Sequence, residues 1–224
     1  MKSFNRPLIL ASSSPRRQYL MKEVGFQFKV ESPDIDEAFP AGMDVQRVPT
    51  FLAETKAKVF AEKINTEIVI TADTIVILKD KILNKPRDRA EAIAMLTELS
   101  GQTHLVITAV CLFSKKKIDC FDDHTKVTFN KLSNAEISFY VDTCKPFDKA
   151  GAYGVQECLP AGMNPCSQEE VDFLKRIAKL DLIEKSLVTV KTGRGMDGIE
   201  KINGSYFNVM GMPIHKVYSH LLNF

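Results

Sequence analysis

Apolar and polar positions divide this 224-residue chain into short strands and amphipathic helices. Leu8, Ile9, Leu10 and Ala11 make a run too short for a helix and predict a buried strand running into a serine-rich turn. Tyr19, Leu20, Met21 and Val24 continue an apolar helical face that starts at Pro15, and Gly25 is placed to end it. Alternation over residues 26–30 predicts a second strand. A stripe of Phe51, Leu52, Thr55, Val59 and Ile64 predicts a helix over residues 48–63, with Lys56 and Lys58 off the stripe. The β-branched run over residues 68–78 predicts a central buried strand, interrupted by Asp73 and Thr74.

Residues 88–99 then read as an amphipathic helix ended by Ser100 and Gly101. Residues 103–113 and 118–129 read as two strands joined by a lysine-rich hairpin turn, with Asp122, Asp123 and His124 near an edge. Ser133 with Glu136, and Ser167 with Glu170, have capping-box spacing. They predict helices running to about residue 141 and to about residue 185. A short strand over residues 188–190, a flexible segment over 192–198, a strand and turn over 202–213 and a last helix over 214–222 complete the pattern. Strands interleaved with helices at this density predict an α/β fold.

Composition narrows the function classes. Thirty basic against twenty-eight acidic residues give +2, too balanced to argue for a nucleic-acid or membrane partner. The absence of a bilayer-length apolar run and of a signal-peptide core leads to the expectation of a cytoplasmic protein. The five cysteines are scattered without a C-x-x-C pair, which argues for reduced thiols rather than a disulfide framework or a zinc site.

Three stretches carry candidate chemistry. In the first, Ser12 and Ser14 precede Pro15, Arg16 and Arg17 at a strand-to-helix junction. The unpaired N–H groups of a first helical turn and the planar forks of arginine both suit phosphate oxygens; the plain alternative is a capped helix with two surface arginines. In the second, an ionised Asp73 inside so apolar a strand is costly unless paired or metal-bound, so it reads as a general base or metal ligand at a strand end facing a cleft. The third, residues 148–156, has Gly151 and Gly154 for close backbone approach and the amide of Gln156 for a base edge. Between them, Glu31, Asp34, Asp36 and Glu37 form either a solvated turn or a source of one carboxylate for a hard cation. A lysine such as Lys56 is ordinarily a surface charge and becomes interesting only if its helix borders a phosphate cleft.

Taken in order, these pieces resemble the Maf family of nucleotide pyrophosphatases. The resemblance rests on Leu10 to Arg17, Glu54-x-Lys56-Ala57, Ala72 to Val76, Lys85-Pro86, Leu99 to His104, Asp148 to Gln156, and Ile202 to Tyr206 with Gly211 to Pro213. It implies one domain over residues 1–224, with an elongated, strongly twisted mixed sheet flanked by helices and a nucleotide cleft between two lobes. It further implies homodimers and hydrolysis of nucleoside triphosphates between the α and β phosphates with Mg²⁺ or Mn²⁺.

Position by position, the resemblance makes Asp73 the general base. Ser12, Ser14, Arg17, Lys56 and Lys85 become phosphate-binding groups, and Glu37 with Asp73 the metal ligands. Arg16, Thr74 and Gln156 match the dTTP/UTP branch, whereas the 7-methyl-GTP branch has Trp after the motif proline and this chain has no Trp. The alternatives implied are a pyrophosphatase for modified or purine nucleotides, or a nucleotide-binding regulator of septum formation. Two departures stand out: Glu157 replaces the usual Gly, and residues 158–198 are an insertion with a helix where the family has a short hairpin connection.

Overall fold

The computed structural model describes residues 6–33, 35–186 and 195–224. The strand expected over residues 188–190 and the beginning of the flexible segment at 192–198 lie outside the described residues.

Seven strands form one mixed sheet in the order β2-β1-β3-β5-β6-β7, with β4 paired to β3. Strand β1 (Leu8–Leu10) lies parallel both to β2 (Lys29–Val30) and to β3 (Ile68–Leu78). Strand β3 is antiparallel to β4 (Lys81–Leu83) and β5 (Thr103–Phe113). The meander continues antiparallel through β6 (Ile118–Phe129) to β7 (Ile199–Asn203). Helices α1 (Pro15–Glu23), α2 (Val48–Lys58), α3 (Arg89–Leu99) and α4 (Asn134–Cys144) cover the sheet. They are followed by α5 (Gln168–Arg176), α6 (Asp181–Ser186), α7 (Tyr206–Val209) and α8 (Ile214–Asn223).

Strand β3 organises the molecule because its alternate residues serve two layers. Val69, Ile75 and Ile77 pack with residues of the α2 layer, including Val48, Leu52, Phe60 and Ile64. Thr71 lies on the same face and donates to the Ala53 carbonyl at 2.7 Å. Ile70, Ala72, Val76 and Leu78 join the main core, with Leu20 and Met21 of α1, Leu96 of α3 and Phe207 of α7.

One edge of β3 is occupied by β5 over residues 69–77. The other edge is covered by β1 at residues 68–70 and by β4 at residues 76–78. Residues 71–75 therefore face a gap between two partner strands, and Asp73 lies mid-strand at that gap rather than at a strand end.

Several expectations shorten or break. The strand over 26–30 contracts to Lys29–Val30 at the sheet edge, and the helix over 48–63 ends at Lys58 before a turn. The helix expected to run from Ser167 to about residue 185 splits in two. Ala178 turns left-handed at φ 57°, and the Lys179 N–H closes onto the Leu174 carbonyl at 2.8 Å, which lets α6 bury Leu182. The cysteines are not all reduced: Cys111 and Cys120 are register partners on β5 and β6 and form a disulfide. Sequence spacing does not reveal such a pair, because only the hairpin register places the two side by side.

Candidate active site

The gap beside β3 opens into a cleft of about 600 Å³. All ten residues singled out from sequence line it: Ser12, Ser14, Arg16, Arg17, Glu37, Lys56, Asp73, Thr74, Lys85 and Gln156. The β1–α1 turn, helix α2, the β4–α3 connection, the 3-10 turn Val155–Glu157 and the segment after α7 supply its walls.

Asp73 projects from β3 toward α2 and is 8% exposed. Its Oδ1 accepts from Lys56 Nζ at 2.6 Å, and the same Nζ lies 2.7 Å from Glu37 Oε1. Lys56 is buried, so the view of it as a surface charge is corrected; Lys58, two residues on, is the solvated one, paired with Glu54. Small residues let α2 come this close: Ala53 and Ala57 pack against Ala109 and Cys111 of β5. Burial is the strongest influence on Asp73 and outweighs the attraction of Lys56 and Arg17, so its carboxyl is held above its ordinary value. For Glu37 burial pulls upward too, but the hydrogen bond and charge of Lys56, with Lys85 and Arg17, prevail and hold it below the ordinary range.

The two arginines differ. Arg16 reaches across the cleft and its Nη1 donates to Asp148 Oδ2 at 3.0 Å. Asp148 also pairs with Lys149 Nζ at 2.9 Å, and these cations outweigh burial to hold its carboxyl low. Arg17 instead fills the unpaired edge of β3. Its Nη1 donates to the Ala72 carbonyl at 2.8 Å, its Nε to the Gly211 carbonyl at 2.8 Å, and its Nη2 to Thr74 Oγ1 at 2.9 Å. Arg17 Nη1 also approaches Ser12 Oγ at 3.4 Å. Most of its fork is thus spent on protein acceptors, and desolvation lowers its pKa.

Ser12 is buried and its Oγ accepts from the Ser14 N–H at 3.3 Å. Ser14 stands at the N-cap of α1 as expected, but its side chain makes no capping bond. Lys85 is exposed on the cleft wall just before Pro86. Among the described residues no cluster of three or more His, Cys, Asp or Glu side chains is grouped as for a metal ion. Glu37 and Asp73 converge on one point, now held by the Lys56 ammonium. Two converging carboxylates are the oxygen donors that a hard divalent cation such as Mg²⁺ or Mn²⁺ takes.

Sequence reasoning missed the groups that hold the loop carrying Gln156. Tyr140 on α4 donates to Glu157 Oε2 at 2.6 Å and accepts from the Gly154 N–H at 2.9 Å. Tyr153 lines the cleft with its hydroxyl 2.7 Å from His104 Nε2. The departure at Glu157 was the one visible signal. The segment over residues 158–198, with Ile199 just after it, braces this loop from behind: Met196 N–H bonds to the Glu157 carbonyl, and the Gly198 and Ile199 N–H groups to that of Cys158. None of its described residues lines the cleft.

A family model described as Maf-like protein matches residues 7–164. A dTTP/UTP pyrophosphatase of Flavobacterium psychrophilum is 40% identical, covering 98% of this chain and 95% of its own length. Proteins of the same name from Porphyromonas gingivalis and Bacteroides fragilis are 36% and 40% identical, covering 97% and 96% of this chain and 94% of their own. The solved structure of the Staphylococcus aureus Ham1 protein, 13% identical over 55% of this chain and 72% of its own, aligns with a TM-score of 0.40, too distant to bear on the site.

Proposed function

The chain belongs to the Maf family, and from that premise we propose that it is a dTTP/UTP pyrophosphatase, releasing pyrophosphate and the nucleoside monophosphate. The observation that carries the reading is the convergence of all ten residues on one cleft around a buried carboxylate.

In this reading the triphosphate lies along Ser12, Ser14 and Lys85, and a water is presented to the α-phosphorus by Asp73. With Oδ1 fixed by Lys56, Oδ2 takes the water proton as the oxygen–phosphorus bond forms and the bond from phosphorus to the bridging oxygen breaks. A carboxyl raised by burial is a stronger base for that step than an ordinary one. Lys56 orients the base, and the cations along the cleft stabilise charge on the leaving pyrophosphate. Glu37 and Asp73 would hold the divalent cation, Mg²⁺ or Mn²⁺, which supplies Lewis-acid stabilisation of the phosphate oxygens. Arg17 and Thr74 act on one another rather than as free donors. Arg16 and Gln156 approach the base end and select the pyrimidine. A homodimer working in the cytoplasm completes the proposal; among the described residues no helix is long and apolar enough to cross a membrane.

The test is a panel of nucleoside triphosphates with Mg²⁺ or Mn²⁺, scoring pyrophosphate against phosphate. Pyrophosphate from dTTP and UTP is expected; phosphate as the sole initial product rejects cleavage between the α and β phosphates.

A further inference from the structure

Glu170 lies in the insertion, away from the cleft lining, yet it is 0% exposed. Its carboxylate accepts from the Ser167 N–H at 2.9 Å and Ser167 Oγ at 3.1 Å, which closes the capping box of α5. The same carboxylate accepts from Ser205 Oγ at 2.6 Å, the Tyr206 N–H at 3.1 Å and the Phe207 N–H at 2.9 Å. One side chain therefore satisfies the starts of two helices, α5 in the insertion and α7 beside the cleft. Five donors converge on it, and an ionised buried carboxylate is stabilised by just such bonds.

The bonds beyond Ser205 have a fixed direction. Ser205 Oγ gives its proton to Glu170 and accepts from the Asn208 N–H at 2.9 Å. The Asn208 carbonyl accepts from Thr108 Oγ1 at 2.8 Å. With the Thr108 proton committed there, Thr74 must be the donor in the 2.9 Å pair between the two threonine hydroxyls. Thr74 then accepts from Arg17 Nη2. The chain runs one way, from the guanidinium of Arg17 through Thr74, Thr108, Asn208 and Ser205 to the carboxylate of Glu170. Every bond runs in the same donor-to-acceptor sense, and the backbone of Asn208, through its C=O and its N–H, joins the Arg17 half to the Glu170 half. The segment after α7 adds a second tie, because the Gly211 carbonyl receives Arg17 Nε and the Gly211 N–H bonds back to Asn208.

We propose that Glu170 is a positioning residue for catalysis, fixing Arg17 at the cleft through α7, so that the insertion works as a buttress of the active site. The proposal rests on the pyrophosphatase reading and adds to it a residue outside the cleft.

The experiment compares wild type, Glu170→Gln, Arg17→Lys and the double variant in pyrophosphate release from dTTP. Assays are run where circular dichroism shows each fully folded. Glu170→Gln replaces an acceptor oxygen with a donor that faces other donors. The expected result is a kcat about tenfold lower with KM within about twofold, because Arg17 holds the Ala72 carbonyl next to Asp73, so its displacement shifts the base while the phosphate-binding groups stay in place. In the double variant the losses should not multiply: adding Glu170→Gln to Arg17→Lys should cost less than about threefold more. Unchanged kcat in folded Glu170→Gln, a change confined to KM, or losses that multiply would each overturn the proposal. If Glu170→Gln does not fold, Ser205→Ala removes a single link of the chain, and the same fall in kcat is expected of it; unchanged kcat overturns the proposal. A wild-type protein that releases no pyrophosphate would instead reject the functional reading itself.

Discussion

Lys56 Nζ lies 2.6 Å from Asp73 Oδ1, so helix α2 delivers a cation to the only acidic side chain of strand β3. Asp73→Asn keeps the volume and removes the base. Its kcat should fall by about 10²–10⁴-fold, with dTTP binding still measurable by calorimetry. Retained turnover would remove Asp73 from its assigned role.

As the proposed general base, the same carboxyl should set the acid side of the pH profile. Its pKa is raised above the ordinary 3.8, and a general base must be ionised. Activity should therefore decline as pH falls, starting higher than an unperturbed carboxylate would dictate. The kcat/KM profile of wild type measures this. An acid limb at or below the ordinary carboxyl value would show that another group controls it.

How much of this was legible in the sequence depends on whether the signal was local. Asp73 stood out because it interrupts a run dominated by Ile and Val, and β3 appears with the bounds its β-branched run predicts. Both capping boxes form as spaced. The burial of Lys56 was not legible, since it follows from the close approach of α2 to β5 over Ala53, Ala57 and Ala109. The link from Asp148 to Arg16 spans 132 residues, and that from Glu170 to Ser205 joins helix α5 to the turn before α7. The Cys111–Cys120 bond depends on strand register, which no count of cysteines contains.

Arg16 and Gln156 both line the cleft, and Asp148 accepts from Arg16 across it; the proposed function has these two residues read the base. Arg16→Ala and Gln156→Ala should each lower the ratio of dTTP to GTP hydrolysis by about tenfold, the scale of a lost polar discrimination. Steady-state kinetics on both nucleotides provide the check. Equal losses on the two would assign these residues to general phosphate binding instead.

Glu37 is half-exposed and shares Lys56 with Asp73, so its removal leaves Asp73 in place while subtracting one anionic oxygen from the proposed metal position. Glu37→Gln should raise the Mg²⁺ concentration for half-maximal activity by about tenfold or more, with smaller loss at saturating metal. A metal titration at fixed dTTP gives the comparison. An unshifted titration would take Glu37 out of the ligand set.

Tyr153 lines the cleft, and its hydroxyl lies 2.7 Å from His104 Nε2 in the core. His104 is 2% exposed, its Nδ1 has no partner among the described residues, and burial pushes its pKa down to about 3 from 6.5. Between those two values the unfolded chain binds a proton that the folded chain refuses, so stability falls as pH drops through this window and is fully present above it. At pH 5.5 the contribution is lower than at pH 7.5 by about 1.4 kcal/mol, roughly one pH unit of linkage below the unfolded value. Urea denaturation of wild type and His104→Gln at both pH values isolates the term, because the other titrating groups are common to both proteins. Wild type should lose about 1.4 kcal/mol more than the variant on acidification. Equal losses would mean that His104 takes up its proton in the folded state, and the support of Tyr153 would then change from a neutral imidazole to a cation.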